Sequence, residues 1–307
     1  MSQNCELAQA DQPLALVRPL HSPLRMRSLG APRVWLCSLL CSLAASASGC
    51  ALYYEPDDGV GGGGVGEGGG GGGEGEPRPL PTGSFHLKVV RSMAGELPIA
   101  GVDSDGAGGL WLAYRLAIGA YYEPDDVRVV HLGPNGEKLS EWRYNDEYTD
   151  VRGIAFGAGA VWLNYNATGT GNNHIRKLDP ATGARLGSFA TDPGVVDLDV
   201  RGEEILQSNL WNDLISTRVS NGGEQGRRSL PGIGQSLQRG VATTADHKVW
   251  LADAEENRVQ LFDSGYRSIG TGLISYPEAV WDSEGLAWDG ERLVLATRSQ
   301  ILWLAPQ

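Results

Sequence analysis

Apolar positions from residue 84 onward recur as short strand-like segments rather than as helical stripes. Five segments, each with apolar residues flanking a central Trp, Leu or Val, are centred at spacings of 51, 44, 44 and 44 residues. A shorter apolar segment precedes each of them, which is the pattern of two neighbouring strands in a repeated unit. The five central residues are Trp111, Trp162, Leu206, Trp250 and Val294.

Turn residues and further strands complete each repeat. Asp and Gly separate the first two strands, as at 103–106 and 289–290, because both residues suit tight turns. A third strand is predicted at 174–178 and 258–262, and a fourth at 185–190. Repeated units of four short strands are typical of the blades of a β-propeller.

The ends of the repeat region predict how the ring closes. The fifth unit supplies three strands and then ends, and an apolar segment at 85–91 precedes the first unit. We therefore predict an all-β fold, a single propeller of five four-stranded blades in which this N-terminal strand completes the last blade and removes open sheet edges. Six blades are the alternative, and a two-sheet sandwich is less compatible with a fixed repeat length.

The repeat units also resemble known families. Segments 285–293 and 241–252 are similar to the blades of NHL-repeat, lactonase-like and virginiamycin-B-lyase-like propellers, and the blade number resembles that of five-bladed glutaminyl cyclotransferases. The resemblance covers most of 84–307 and implies the fold. Cyclotransferases carry a Glu near the start of a second strand, whereas 293–297 contains no acidic residue, which argues against that activity.

Charge and cysteine content narrow the class of protein. The net charge is -12, which disfavours nucleic acid as a partner because phosphate contacts need clustered Lys and Arg. All four cysteines lie at or before position 50, so the repeat region has neither a disulfide nor a cysteine metal site.

The first fifty residues predict export and lipidation. Arg25, Arg27 and Arg33 precede a short apolar core at 34–47, and small residues then lead to Cys50. This end resembles the lipobox of bacterial lipoproteins, which implies that Cys50 is lipidated and anchors the protein to a membrane. An ordinary cleaved signal is the alternative. Ala51 after the cysteine favours the outer membrane of a bacterial envelope.

Three regions follow from this pattern. Residues 1–49 are a leader and signal peptide, with Met26 as a possible true start; 50–83 are the lipidated cysteine and a Gly-rich flexible tether; 84–307 are the propeller. The sequence Tyr-Tyr-Glu-Pro-Asp-Asp occurs at 53–58 and again at 121–126. The second copy is interpreted either as an inserted recognition loop in the first blade or as a chance duplication of an acidic turn.

Function in propellers usually lies on the face formed by the connections between blades and between the second and third strands. Polar and aromatic residues of both charge signs occur at these connections, which fits a binding surface for an envelope protein or a small ligand. Polar loops are also ordinary surface, so the pattern alone does not separate the two. The candidate ligand-binding residues are Asp150, Arg152, Tyr165, Asn166, Asn209, Trp211, Arg239 and Asp253.

Chemistry is less clearly indicated than binding. Glu284, Asp197 and His174 are the candidate acids and bases, but a single histidine with unknown neighbours does not define a triad. Asp150, Asp197 and Glu284 could converge on calcium, although nearby Arg152 and Arg239 favour salt bridges instead. We therefore predict no resident cofactor and a binding or scaffold module. The alternative is a propeller enzyme of lyase, lactonase or glutaminyl-cyclotransferase type.

Overall fold

The computed structural model describes residues 79–116, 126–145, 149–167, 173–230, 238–253, 258–275 and 283–307. These residues form twenty strands. They are β1 Gly83–Ala94, β2 Ile99–Ser104, β3 Leu110–Arg115, β4 Asp126–Leu132, β5 Lys138–Asn145, β6 Thr149–Gly157, β7 Ala160–Ala167, β8 Asn173–Leu178, β9 Arg185–Thr191, β10 Val195–Arg201, β11 Glu204–Asn209, β12 Asp213–Arg218, β13 Glu224–Ser229, β14 Gln238–Thr243, β15 Val249–Asp253, β16 Arg258–Phe262, β17 Ser268–Ile274, β18 Ser283–Trp288, β19 Leu293–Thr297 and β20 Gln300–Pro306.

The strands form five antiparallel blades in chain order. Blades 1 to 4 are β2–β5, β6–β9, β10–β13 and β14–β17, and blade 5 consists of β18, β19, β20 and β1. The innermost strands are β2, β6, β10, β14 and β18, and each contacts the innermost strand of the next blade around a closed ring. The prediction of a five-bladed β-propeller is confirmed.

Strand β1 closes the ring as the sequence predicts, and it also spans two blades. Its second half pairs antiparallel with β20, from Leu87 opposite Pro306 to Ala94 opposite Gln300. Its first half pairs parallel with β17, from Gly83 opposite Gly270 to Leu87 opposite Ile274. The strand therefore joins the outer edges of blades 4 and 5, and in this way it covers two edges that would otherwise be exposed.

Core packing lies mainly between the blades. The repeated central residues face the layers between neighbouring sheets, where Trp162 and Trp250 are fully buried. Trp111, Trp162 and Trp250 pair across with Asp103, Ala155 and Ala242 respectively, so they occupy one structural position. The repeat in the sequence therefore marks the residues that pack between neighbouring blades.

One glycine position explains how closely the inner strands approach. Gly101, Gly153, Gly240 and Gly285 each follow a bulge in an inner strand. A Cβ atom on Gly101 would lie 2.8 Å from the backbone nitrogen of Ile154 on the next blade. The equivalent residue of blade 3, which also follows the bulge, is Asp197.

The ring has two distinct ends. We call the end where the inner strands begin the loop end, and the end where they finish and turn into the second strand the turn end. The connection between β3 and β4, 116–125, is the longest of those joining second to third strands, and it includes most of the second acidic repeat. Residues 117–125 lie outside the described ranges, as do Cys50, the leader and the predicted tether up to residue 78. Among the described residues, no helix has the length and apolar character needed to span a membrane.

Candidate functional site: the two ends of the propeller axis

At the loop end, an arginine links acidic residues from different blades. Arg115, at the end of β3, places its Nε 3.1 Å from Asp150 Oδ1 and its Nη2 3.3 Å from Glu284 Oε2. The same guanidinium donates to the carbonyl of Val151. Arg152 Nε also lies 3.1 Å from Asp150 Oδ2. Blades 1, 2 and 5 are therefore joined by one ion-pair network here.

The remaining loop-end candidates are spread over separate environments. Tyr165 is fully buried between blades, and Asp253 is buried against Arg258 at 3.0 Å. Asn209 folds its own loop, because its Oδ1 accepts from the backbone of Trp211 and Asp213. Trp211 is 58% exposed.

His174 is half-buried on β8, opposite Tyr165 on β7. The side chains of Asn166 and Arg239 lie outside what the structure describes. The structure thus brings Asp150, Arg152 and Glu284 together, with Arg115 as a partner that sequence reasoning missed. It does not bring the three catalytic candidates Glu284, Asp197 and His174 into one described group.

Asp197 lies on the axis between the two ends. Its Oδ2 accepts hydrogen bonds from the backbone of Val241 at 2.9 Å and of Leu286 at 3.3 Å, on blades 4 and 5. Its Oδ1 lies against Gly153 of blade 2 and has no hydrogen-bond partner among the described residues. Burial raises the pKa of Asp197 well above its usual range, against the three backbone hydrogen bonds that favour the ionised form.

At the turn end, the axis opens into a cavity of about 320 Å³. Asp103 and Asp199 lie in its wall and are 6% and 8% exposed. Phe156 and Trp288 supply aromatic surface, and the glycine-rich turn after β6 forms part of the rim. None of the residues that line this cavity, within the described ranges, carries a positive charge.

Asp103 and Asp199 also connect neighbouring blades. Asp103 Oδ2 accepts from the backbone of Phe156 at 2.6 Å, and Asp199 Oδ2 accepts from the backbone of Thr243 in the same way. Each carboxylate therefore reaches from an inner strand to the next blade, at one repeated position. A buried backbone N–H needs such an acceptor, so both residues stabilise the ring as well as lining the cavity.

The electrostatics of this pair oppose ionisation. Burial raises the pKa of Asp103 well above its usual range, and the charges of Asp199 and then Asp197 raise it further, against hydrogen bonds from Phe156 and Ser104. Burial also raises the pKa of Asp199, against hydrogen bonds from Thr243 and Val200 and the charge of Arg201. Two nearby carboxyl groups in a cavity without a cation tend to retain protons.

The turn after β2 forms another part of the cavity wall. Asp105 Oδ1 accepts from the backbone of Ala107 and Gly109, and its Oδ2 lies 2.9 Å from Nε2 of His131. The imidazole of His131 stacks on Trp111 with ring centroids 4.2 Å apart. The turn predicted at 103–106 starts only at Asp105, since Asp103 and Ser104 are the last residues of β2, and His131 holds the side chain of Asp105.

The arrangement suits recognition of a cation by carboxylates better than metal binding by a preformed cage. In the described part of the chain, no group of three or more His, Cys, Asp or Glu side chains is placed to hold a metal ion. At the loop end, Arg115 occupies the space between Asp150 and Glu284 that a cation would need. The calcium hypothesis for those residues stays a prediction.

Sequence reasoning missed the acidic residues of the cavity although a signal was present. Once the repeats are aligned on the strand pairing, the position of Asp103 and Asp199 holds Ala155, Ala242 and Ala287 in the other blades. Aspartate in place of a small core residue, at a position buried in every blade, is the unusual feature. Assigning 103–106 only to a turn concealed it.

Comparison with solved structures agrees with this architecture. The chain is similar to the glutaminyl cyclase of Myxococcus xanthus, with a TM-score of 0.56 and 11% sequence identity over 74% of this chain and 99% of that one. A catalytically inactive virginiamycin B lyase from Staphylococcus aureus, solved with quinupristin, has a TM-score of 0.45 and 12% identity over 72% of this chain and 99% of that one. At such identities the likeness shows the fold alone.

The fold and the closed ring thus define the chain as a β-propeller, and propellers of similar architecture include enzymes. No protein-family model matches the sequence, and no curated protein matches it significantly. Function has to be argued from the site itself.

Proposed function

We propose that this protein is a binding module of a bacterial envelope, in which a lipid-anchored, tethered propeller holds a small ligand at the turn end of its axis. The observation that carries the proposal is the 320 Å³ cavity between Asp103, Asp199 and Trp288. Its volume falls at the lower limit for small-molecule sites, which combine apolar walls with a few polar groups. At the loop end, the acidic residues Asp150 and Glu284 already form ion pairs with Arg115.

The ligand site is tested by thermal unfolding of the full chain with a panel of cationic, neutral and anionic small molecules. A ligand that binds only the folded state raises the melting temperature by mass action. Ser104→Phe should fill the cavity and abolish the shift, whereas Ser220→Phe, on an exposed turn of blade 3, should preserve it. A shift that survives Ser104→Phe, or no shift with any compound, would contradict the proposal.

The envelope location rests on Cys50 and the preceding signal pattern. We expect the full chain to fractionate with membranes and Cys50→Ser to be released from them, because the lipid attaches at that thiol. Equal membrane association of both proteins would refute the lipid anchor. This result is independent of the cavity experiment.

A propeller enzyme of lyase, lactonase or cyclotransferase type is the second candidate. The observation that favours it is the pair of buried carboxyl groups in one cavity, since perturbed acidic residues cluster at catalytic sites. Lactone opening and cyclisation of glutaminyl peptides are the assays, with Asp199→Asn as the inactive control. Turnover by the native chain that is lost in Asp199→Asn would show that the protein is an enzyme and would contradict the binding-module proposal.

A further inference from the structure

The chemistry of the turn-end cavity points to the charge of its ligand. Asp103, Asp105 and Asp199 supply three carboxyl groups to its wall, and the lining residues supply no Lys, Arg or His. Asp105 is held by His131, but Asp103 and Asp199 receive only N–H and hydroxyl donors in the described structure. Arg201, which follows Asp199, directs its guanidinium to Glu204 and Tyr266.

A second observation lies directly beneath the cavity. Asp197 and Asp199 are two residues apart on β10, so they project to the same side of the strand. They accept from Val241 and Thr243, which are also two residues apart, on β14. Asp197 Oδ1 is fully buried and has no hydrogen-bond partner in the part of the chain that the structure describes, which adds an unsatisfied acceptor to the axis below Asp199. Three carboxyl groups, those of Asp103, Asp197 and Asp199, therefore lie close together on the axis towards this end, where a bound cation would favour their ionised forms.

The aromatic wall selects between kinds of cation. Trp288 lines the cavity and stacks on Trp250 at 6.2 Å, and Phe156 stacks on Trp111 at 5.5 Å. Aromatic faces fixed from behind in this way attract organic ammonium groups through cation–π interactions and apolar contact. A bare divalent ion would need six to eight oxygen ligands, for which the described residues offer no preformed group.

We propose that the turn-end cavity binds a small organic ammonium compound, with the cationic group between Asp103 and Asp199 and its carbon substituents against Trp288. The inference rests on the proposed function, since it names the ligand class of that same site. Binding neutralises the repulsion between the two carboxyl groups and holds both in the ionised form. The structural role of the pair, accepting from the next blade, is preserved in the complex.

The probe is choline, titrated calorimetrically into the full chain, with 3,3-dimethyl-1-butanol as its uncharged isostere. We expect choline to bind and the isostere not to bind, because the two differ only in the charge at the quaternary centre. Equal binding of the two compounds would overturn the inference. Calcium chloride is the third titrant, and binding of calcium without choline would also overturn it.

Substitutions then locate the site. Asp103→Asn together with Asp199→Asn retains acceptors for Phe156 and Thr243 but removes the charges, and should weaken choline binding by roughly tenfold to a hundredfold. Trp288→Leu should weaken it by roughly threefold to thirtyfold. Glu291→Gln is the matched control, since it removes a charge from an exposed turn beside Trp288 and should change affinity by less than about twofold.

The outcomes separate this inference from the proposed function. Suppose that a neutral or anionic compound of the thermal panel raises the melting temperature, that Ser104→Phe abolishes this rise, and that choline does not bind. The inferred ligand class is then wrong, and the binding module is supported. If no compound binds through the cavity, both are wrong. Because the isostere comparison uses the native chain, the inference remains testable even if the double variant does not fold.

Discussion

The two ends of the propeller axis satisfy buried acidic residues in opposite ways. At the loop end, Asp150 and Glu284 meet the guanidinium of Arg115, and Arg152 beside Asp150 supplies the second positive charge that balances the two carboxylates. At the turn end, Asp103 and Asp199 accept from backbone N–H groups of the next blade, which supply hydrogen bonds without a full positive charge. The acidic residues of the loop end are therefore paired with arginine, whereas the described lining of the turn-end cavity contains no cationic side chain.

The largest loss of stability is expected on substitution of Asp197, which lies on the axis between the two ends. Asp197→Ala would leave the buried backbone N–H groups of Val241 and Leu286 without their acceptor, at a cost of roughly 2–4 kcal/mol in the free energy of unfolding. Urea denaturation measures the change. Asp197→Asn, which keeps a carbonyl oxygen in place, should stay within about 1 kcal/mol of the native chain. An equal loss in both variants would show that the hydrogen bonds are not the cause.

The next largest loss of stability is expected on substitution of Arg115 at the loop end. Arg115→Met would leave Asp150 and Glu284 close together and partly buried, and we expect a loss of roughly 2–3 kcal/mol. Adding Glu284→Gln to Arg115→Met should recover part of this loss, because the charge that Arg115 balanced on Glu284 is then absent, while Asp150 keeps its ion pair with Arg152. If the double variant is no more stable than Arg115→Met, the network does not act as a charge pair.

The pH dependence of stability should distinguish the ends. The pKa values of Asp103, Asp197 and Asp199 are raised in the folded chain, so the folded state binds more protons than the unfolded state at pH values above the unfolded pKa. Their contribution to stability is present below that pKa and is lost as the pH rises through the folded values. Asp199→Asn should therefore gain stability relative to the native chain between pH 4 and neutral pH.

This comparison has an internal control. Glu141, whose pKa is lowered to about 2 by hydrogen bonds from Arg128 and Lys138, contributes in the opposite sense, with stability lost only as the pH falls towards that value. At neutral pH Glu141→Gln should therefore be less stable than the native chain and Asp199→Asn more stable, and both differences should shrink in acid, where the native carboxyl groups become neutral. Urea denaturation of both variants and of the native chain at several pH values measures these stability differences. A difference of the opposite sign for either variant would contradict the direction of that group's pKa shift.

The smallest expected effect concerns the rim of the cavity. Ala158 has a φ of 50° in the two-residue turn between β6 and β7, a region that favours glycine. Ala158→Gly should raise stability by roughly 0.5–1 kcal/mol, because glycine relieves the strain of the turn. Ala107→Gly, on the preceding blade's turn, offers a control without a positive φ. A stabilisation in the control alone would contradict the explanation.

Fold and site differ in how far the sequence predicts them. The repeat centred on Trp111, Trp162 and Trp250 reports packing between blades, which recurs in every unit and can be read without an alignment. Closure by the strand at 85–91 follows from the missing strand of the last unit. The site depends instead on single departures from the repeat, namely Asp103, Asp197 and Asp199, whose partners lie on other blades and become visible only with the strand register.

The ion pair between Arg115 and Glu284 at the loop end is not predictable from the sequence for the same reason. Arg115 meets Glu284 across 169 residues of sequence, and no local pattern in β3 indicates which acidic residue it contacts. The repeat predicts that Asp150, Arg152 and Glu284 lie at connections between blades, and in the structure they lie at one end of the axis. The ligand-binding role of Asp150 and Arg152 and the catalytic role of Glu284 stay predictions.

Neutralising one acidic residue at each end of the axis decides whether the turn end or the loop end holds the ligand. Choline affinity should be measured for the native chain, for Asp199→Asn and for Glu284→Gln at the same salt concentration. We predict a weakening of roughly tenfold or more for Asp199→Asn and little change for Glu284→Gln. The reverse order would place the ligand at the loop end and refute the assignment of the ligand to the turn end.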